Sequence, residues 1–145
     1  MSEQRHVTIV MIEDDEGHAR LIERNIRRAG ITNEIRHFLD GATALHFLEN
    51  DDAGPALNGP ALILLDLNLP DMSGTDILSR VKSNDRLKAT PVVVLTTTDD
   101  KVEIQRCYDL GCNVYITKPV DYEGFATAIR QLGLFLAVMQ VPETA

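Results

Sequence analysis

Short apolar runs alternate with amphipathic stretches along the chain. Residues 7–12 are apolar nearly throughout, which predicts a strand buried on both faces. Asp14 or Asp15 can then cap a helix whose inner face carries Ala19, Ile22, Ile26 and Ala29, with Gly30 as its stop. Residues 34–38 alternate and predict a second strand. Asp40 and Gly41 open a second helix with Ala44, Leu45 and Leu48 inward. Residues 50–60, rich in Gly, Pro, Asn and Asp, predict a loop. Residues 61–66 form a third strand, apolar until Asp66, and a helix with Ile77, Leu78 and Val81 inward follows. A fourth strand covers 92–96, a fourth helix runs from about Asp100 to Leu110, and a fifth strand covers 113–117. The last helix starts near Asp121 and is expected to bury Phe125, Ile129, Leu132 and Leu136. The pattern is βα repeated, and its two-sided apolar strands imply a parallel sheet covered by helices on both faces.

Composition changes this picture little. The 145 residues fit one domain, and 44% hydrophobic with 25% charged residues is an ordinary globular balance. No apolar run approaches the roughly 18–20 residues needed to span a membrane, and the polar start resembles no secretory signal, so a cytoplasmic protein is expected. Net charge is -8 and lysines and arginines are nowhere clustered by more than two, which argues against nucleic acid as a partner. Cys107 and Cys112 match neither a redox pair nor a zinc half-site and read as reduced, packed thiols.

In open α/β sheets the ligand site lies beyond the carboxyl ends of the strands. The informative residues are therefore those that follow each apolar run. The first run ends in Glu13-Asp14-Asp15, the third in Asp66 with Leu67-Asn68-Leu69-Pro70 after it, the fourth in Thr96-Thr97, and the fifth leads into Lys118-Pro119. Folding gathers three carboxylates, a hydroxyl and an ammonium. Crowded carboxylates repel, and a hard cation with oxygen ligands relieves that repulsion. Magnesium suits such a site, because it takes one or two carboxylates and accepts a phosphate oxygen. An aspartate can form an acyl phosphate, and phosphoryl transfer asks mainly for positioning and charge neutralisation.

At these residues the chain resembles the response-regulator receiver family. The matching segments are Ile12-Glu13-Asp14-Asp15, the run from Leu64 to Pro70, Ser73-Gly74, Val94-Leu95-Thr96-Thr97 and Thr117-Lys118-Pro119. The resemblance covers about residues 6–138, leaving a short extension over 139–145 of a single receiver domain. It implies a flavodoxin-like (βα)5 fold: a doubly wound, five-stranded parallel sheet in the order 2-1-3-4-5. It implies Asp66 as phospho-acceptor, with Asp14 and Asp66 as direct ligands of Mg2+, Glu13 acting through water and the Asn68 backbone carbonyl as a further ligand. Thr96 and Lys118 match the family's switch hydroxyl and lysine, and Tyr115 its reorienting aromatic. Finer features, among them Arg20-Leu21-Ile22, Asp40-Gly41 and the segment from Tyr108 to Tyr115, are similar to single-domain regulators that accompany phytochrome-type histidine kinases. The resemblance thus implies a sensor histidine kinase, a bacteriophytochrome by these finer features, as partner.

Plainer readings stand beside these. Asp66 alone could be a helix cap, and Asp15 reads as an N-cap in preference to a metal ligand. Tyr115 could be packing, Lys118 a solvated lysine, and Thr97 and Thr98 residues of shape and access. His6, His18, His37 and His46 are scattered without metal-ligand spacing and read as surface or half-buried. Asn68 stands where an aspartyl phosphatase would carry a second carboxylate, so a switch is expected here and not an enzyme. The sequence ends soon after the fifth helix, so no output domain is expected. Residues 132–139 are apolar nearly all round, which predicts a homodimer through the C-terminal helix region.

Overall fold

The computed structural model describes residues 7–49, 61–118, 123, 124, 126–128, 130 and 131. Nine elements follow in order: β1 (Thr8–Ile12), α1 (Glu16–Arg28), β2 (Ile35–Phe38), α2 (Gly41–Glu49), β3 (Ala61–Leu65), α3 (Gly74–Ser83), β4 (Val92–Thr96), α4 (Lys101–Leu110) and β5 (Val114–Thr117). Residues 123, 124, 126–128, 130 and 131 are helical. The strands form one sheet in the order β2-β1-β3-β4-β5, with every pairing parallel. The loop expected at 50–60, the inward Phe125, Ile129, Leu132 and Leu136, and the apolar run at 132–139 lie outside the described residues.

Period-two alternation sends each central strand to two cores at once. Val10, Ile12, Ile63, Leu65, Val92 and Val94 face α2, α3 and α4, packing on Ala44, Leu45, Leu48, Ile77, Leu78, Val81 and Cys107. Ile9, Met11, Leu62, Leu64, Val93 and Leu95 face the other way, onto Ala19, Leu21, Ile22 and Ile26 of α1. β3 and β4 are buried at every position, as two-sided coverage requires. The edge strand β2 is buried at none, and it carries the polar Arg36 and His37 between Ile35 and Phe38, which pack against opposite cores.

Helix ends match their local chemistry. Asp15 caps α1 by accepting from the His18 N–H at 2.9 Å, Ser73 caps α3, and Asp100 caps α4. Ala29 is the C-cap of α1 and still packs, half-buried, against the inner core, and Gly30 follows in the left-handed region at φ 87°. α2 is capped locally by Asp40, whose carboxylate accepts from Thr43 N at 2.8 Å, and again from a distance. The Asp71 carboxylate accepts from Gly41 N at 2.8 Å and from Ala42 N at 2.8 Å, which ties the β3–α3 loop to α2. These two bonds hold the Asp71 carboxyl below the ordinary carboxylate range.

Gly74 lets α3 begin against the end of β3. A Cβ there would lie 2.5 Å from the Asp66 carbonyl oxygen and 2.6 Å from Leu67 Cα. The Gly74 N–H donates to the Leu67 carbonyl at 2.9 Å, closing the same turn. Site loop and sheet are therefore one rigid unit, resting on the core beneath.

Leu78 is fully buried between α3 and that core. Leu78→Ala is expected to lower stability by about 2–5 kcal/mol, read as a fall in the urea midpoint at unchanged slope. A loss under about 1 kcal/mol would mean that this layer is loosely packed.

Candidate functional site

Register alone brings the strand ends together. Ile12 of β1 pairs with Leu65 of β3, so the residues that follow, Glu13 and Asp66, emerge side by side. The Asp66 N–H still donates to the Ile12 carbonyl at 3.0 Å, and the Glu13 N–H donates to the Phe38 carbonyl at 3.0 Å. Thr96 pairs with Thr117, which delivers Lys118 to the same edge, and the Lys118 N–H donates to the Thr96 carbonyl at 2.6 Å. Backbone hydrogen bonds thus fix each side chain's root before any side-chain contact is made.

The side chains then converge. One oxygen from each of Glu13, Asp14 and Asp66 fits within a 4.8 Å cluster. Glu13 is 2% exposed and Asp66 6%, while Asp14 stands in solvent at the rim. Lys118, also buried, donates to Glu13 Oε1 at 2.5 Å and to Asp66 Oδ2 at 3.2 Å, across 105 and 52 positions of sequence. The other Asp66 oxygen accepts from the Asn68 N–H at 3.1 Å. The Asn68 side-chain amide reaches the buried Thr96 hydroxyl at 3.4 Å. Beside the cluster, Asp14, Asn68, Pro70, Asp71 and Ser73 line an open polar groove.

Two effects compete at Glu13. Burial disfavours its charged form, while Lys118 favours it; burial is the larger, and it pushes the carboxyl up from an ordinary 4.5 to about 7. One ammonium does not offset three crowded carboxylates. The donor set is oxygen only, with a rim opening, and fits a hard divalent cation.

Tyr115 is half-buried and hydrogen-bonded at both ends. Its hydroxyl donates to the Thr98 carbonyl at 2.6 Å, and its N–H donates to the Tyr108 hydroxyl at 3.1 Å. Burial holds its phenol up to about 12, so it stays protonated and able to donate. Cys107 and Cys112 are free thiols in the core, and burial pushes Cys107 up to about 11.

The structure thus unites Glu13, Asp14, Asp66, Asn68, Thr96 and Lys118 at one sheet edge, and places Tyr115 on the next strand face. Asp15 lies outside the carboxylate cluster and serves as the α1 cap. Two further residues escape sequence reasoning. Asp71 is not singled out by the sequence, because its partners Gly41 and Ala42 lie 30 and 29 positions upstream. His18 shows no metal-ligand spacing, yet its Nδ1 lies 3.2 Å from Lys118 Nζ. Its signal was position: the first turn after the acidic strand end. Helical spacing also gathers Arg20, Arg24, Arg27 and Arg28 with Glu23 along one groove of α1, although the linear sequence disperses them. Among the described residues no helix is long and apolar enough to cross a membrane.

The chain is similar to known proteins in sequence and fold. The chain is 37% identical over 110 residues to the response regulator Rcp1 of Synechocystis sp., covering 76% of this chain and 75% of Rcp1. The Mn(2+)-bound form of Rcp1 superposes with a TM-score of 0.84 at 32% identity, over 94% of this chain and 99% of that one. A response regulator receiver domain from Rhodospirillum rubrum superposes with a TM-score of 0.88 at 68% identity, over 95% of this chain and 99% of that one. The phosphorylated cyanobacterial phytochrome response regulator RcpA gives 0.83 at 34% identity, over 94% and 99%. Matched by the family's model over residues 9–130, and carrying its fold and strand order, the chain belongs to the response regulator receiver domain family, whose members partner histidine kinases in two-component signalling.

Proposed function

We propose that Asp66 accepts a phosphoryl group from a sensor histidine kinase in a magnesium-dependent step. The observation that carries this reading is the Lys118 ammonium 3.2 Å from Asp66 Oδ2, inside a cluster of carboxylates that outnumber it. An Asp66 oxygen forms the P–O bond as the donor's P–N bond breaks, and the imidazole leaves and takes up a proton. No base is required, because the nucleophile is a carboxylate. Asp14 and Asp66 would hold Mg2+ directly, the Asn68 carbonyl would add a ligand, and Glu13 would act through water. Bound there, the metal supplies charge neutralisation at the phosphoryl oxygens. Lys118 turns one N–H from a carboxylate to a phosphoryl oxygen, and Thr96 donates its hydroxyl to another. Tyr115 then fills the space that Thr96 leaves, which alters the face built from α4 and β5. The phosphorylated state of RcpA and the Mn(2+)-bound form of Rcp1 support this reading by likeness.

The same likeness supports a bacteriophytochrome as the cognate kinase, in the cytoplasm. Asn68, in place of a second carboxylate, favours a switch over a turnover enzyme. The apolar sequence at 132–139 supports a homodimer through the C-terminal helix region; light scattering is expected to give twice the chain mass, and a monomer at high concentration, with and without phosphorylation, would refute it.

Incubation with magnesium and acetyl phosphate is expected to add one acid-labile phosphoryl group, seen by mass spectrometry and absent from Asp66→Asn. Equal labelling of that variant, or no adduct on the native chain, would overturn the reading. Asp14→Ala is expected to lose most magnesium affinity by calorimetry.

The proton on Glu13 gives a pH test. Its folded value, about 7, lies above the ordinary 4.5, so between the two the folded metal-free chain keeps a proton that the unfolded chain has released. The stability of the metal-free protein should therefore fall as pH rises through this window. Magnesium competes with the same proton, so its affinity should rise across the window and level off above it. In Glu13→Gln both slopes should flatten.

A further inference from the structure

Lys118 has a third partner that phosphoryl acceptance does not itself employ. His18 Nδ1 lies 3.2 Å from Lys118 Nζ. An ammonium carries three N–H donors and no acceptor, so Nδ1 must accept. In this arrangement the imidazole is therefore neutral, with its proton on Nε2. Asp15 Oδ2 also faces Nδ1, but at 3.8 Å it is beyond hydrogen-bond range, and the nearer ammonium decides the tautomer.

The roots of the two side chains are fixed independently. His18 stands in the first turn of α1, with its N–H on the capping Asp15 carboxylate at 2.9 Å, and the adjacent Ala19 is buried in the core. Lys118 leaves β5 with its N–H on the Thr96 carbonyl. The imidazole thus reaches the ammonium from a helix, while Glu13 and Asp66 reach it from two strand ends.

We propose that His18 is a positioning residue, which holds the Lys118 ammonium at the mouth of the acidic pocket while the carboxylates change partners. The inference rests on the Asp66 reading. Of the acceptors described for Lys118, Glu13 and Asp66 belong to the carboxylate cluster and His18 stands outside it. A divalent cation and an incoming phosphoryl group both contest the oxygens of Glu13 and Asp66, and neither contests Nδ1. Through that exchange His18 keeps one N–H engaged and leaves the others aimed at the reacting oxygens. A helix-start histidine without this role would leave Lys118 indifferent to its removal.

The test compares wild type, His18→Ala and His18→Asn at mildly alkaline pH. Asn places Oδ1 where Nδ1 stands and keeps the acceptor. With acetyl phosphate and saturating magnesium, His18→Ala should label Asp66 roughly tenfold more slowly, since hydrogen bonds to charged groups are among the stronger ones. His18→Asn should recover most of the rate. Magnesium affinity should be the same in all three, which separates lost positioning from a damaged metal site or fold. In metal-free wild type, 15N NMR of the ring should show an unprotonated Nδ1 that shifts in Lys118→Met. Equal labelling rates in wild type and His18→Ala, failure of Asn to rescue, or a protonated Nδ1 would each overturn the proposal. If wild type takes no phosphoryl group, the Asp66 reading falls, and the NMR result alone decides whether His18 holds Lys118.

Discussion

Carboxylates buried at the end of an apolar sheet are the constraint on which the rest of this structure depends. Taking a carboxylate out of water is unfavourable unless partners replace the lost solvation. Glu13 and Asp66 are nearly inaccessible, and one buried ammonium serves both. The result at Glu13 shows which effect wins: burial outweighs the lysine, and the group holds a proton near neutral pH. A site in that condition has an unmet demand for positive charge. The demand is built in by the parallel sheet, because the first carboxylates after β1 and β3 emerge side by side and both are buried.

That cluster survives only on a backbone that cannot relax around it. Strand pairing continues past the last strand residues, with Asp66 and Glu13 both donating to neighbouring strands. Gly74 brings α3 against the Asp66 carbonyl, where any side chain would collide with backbone. Asp71 then fastens the loop carrying Asn68 to the start of α2. A site on rigid elements holds its groups in place without drawing on the flexible loops for precision. The open groove beside Asp14 and Asn68 is what remains for an incoming donor.

Much of this was legible from residue order. Two-sided apolar runs gave β1, β3 and β4, because burial on both faces writes itself into an unbroken apolar run, and the more polar run at residues 34–38 gave the second strand. The site followed from one rule, that parallel strands present their carboxyl ends together, which is why Glu13, Asp66, Thr96 and Lys118 could be chosen before any contact was known. What escaped were contacts whose partners lie far apart in sequence. Asp71 drew no reading from the sequence because its partners are on α2. His18 looked like a stray histidine because a lysine on another strand gives it meaning. The arginine stripe of α1 escaped a count of adjacent charges, since a helix gathers residues three and four apart.

A short covalent path joins the site to the α4–β5 face. Thr96 meets the Asn68 amide at the pocket, and two residues on, the Thr98 carbonyl holds the Tyr115 hydroxyl. Tyr115 is also held through its N–H by Tyr108 of α4. On the proposed reading, the phosphoryl group draws on the Thr96 hydroxyl, and the intervening segment is too short to absorb the movement before it reaches Thr98. The phenol is protonated throughout the physiological range, so its bond to Thr98 depends on geometry and not on charge. On that reading the link acts as a switch by giving Tyr115 a second environment, the space beside Thr96, in place of the Thr98 carbonyl that it holds here. On the proposed reading, a charge change at Asp66 becomes a packing change at Tyr115, where β5 borders α4.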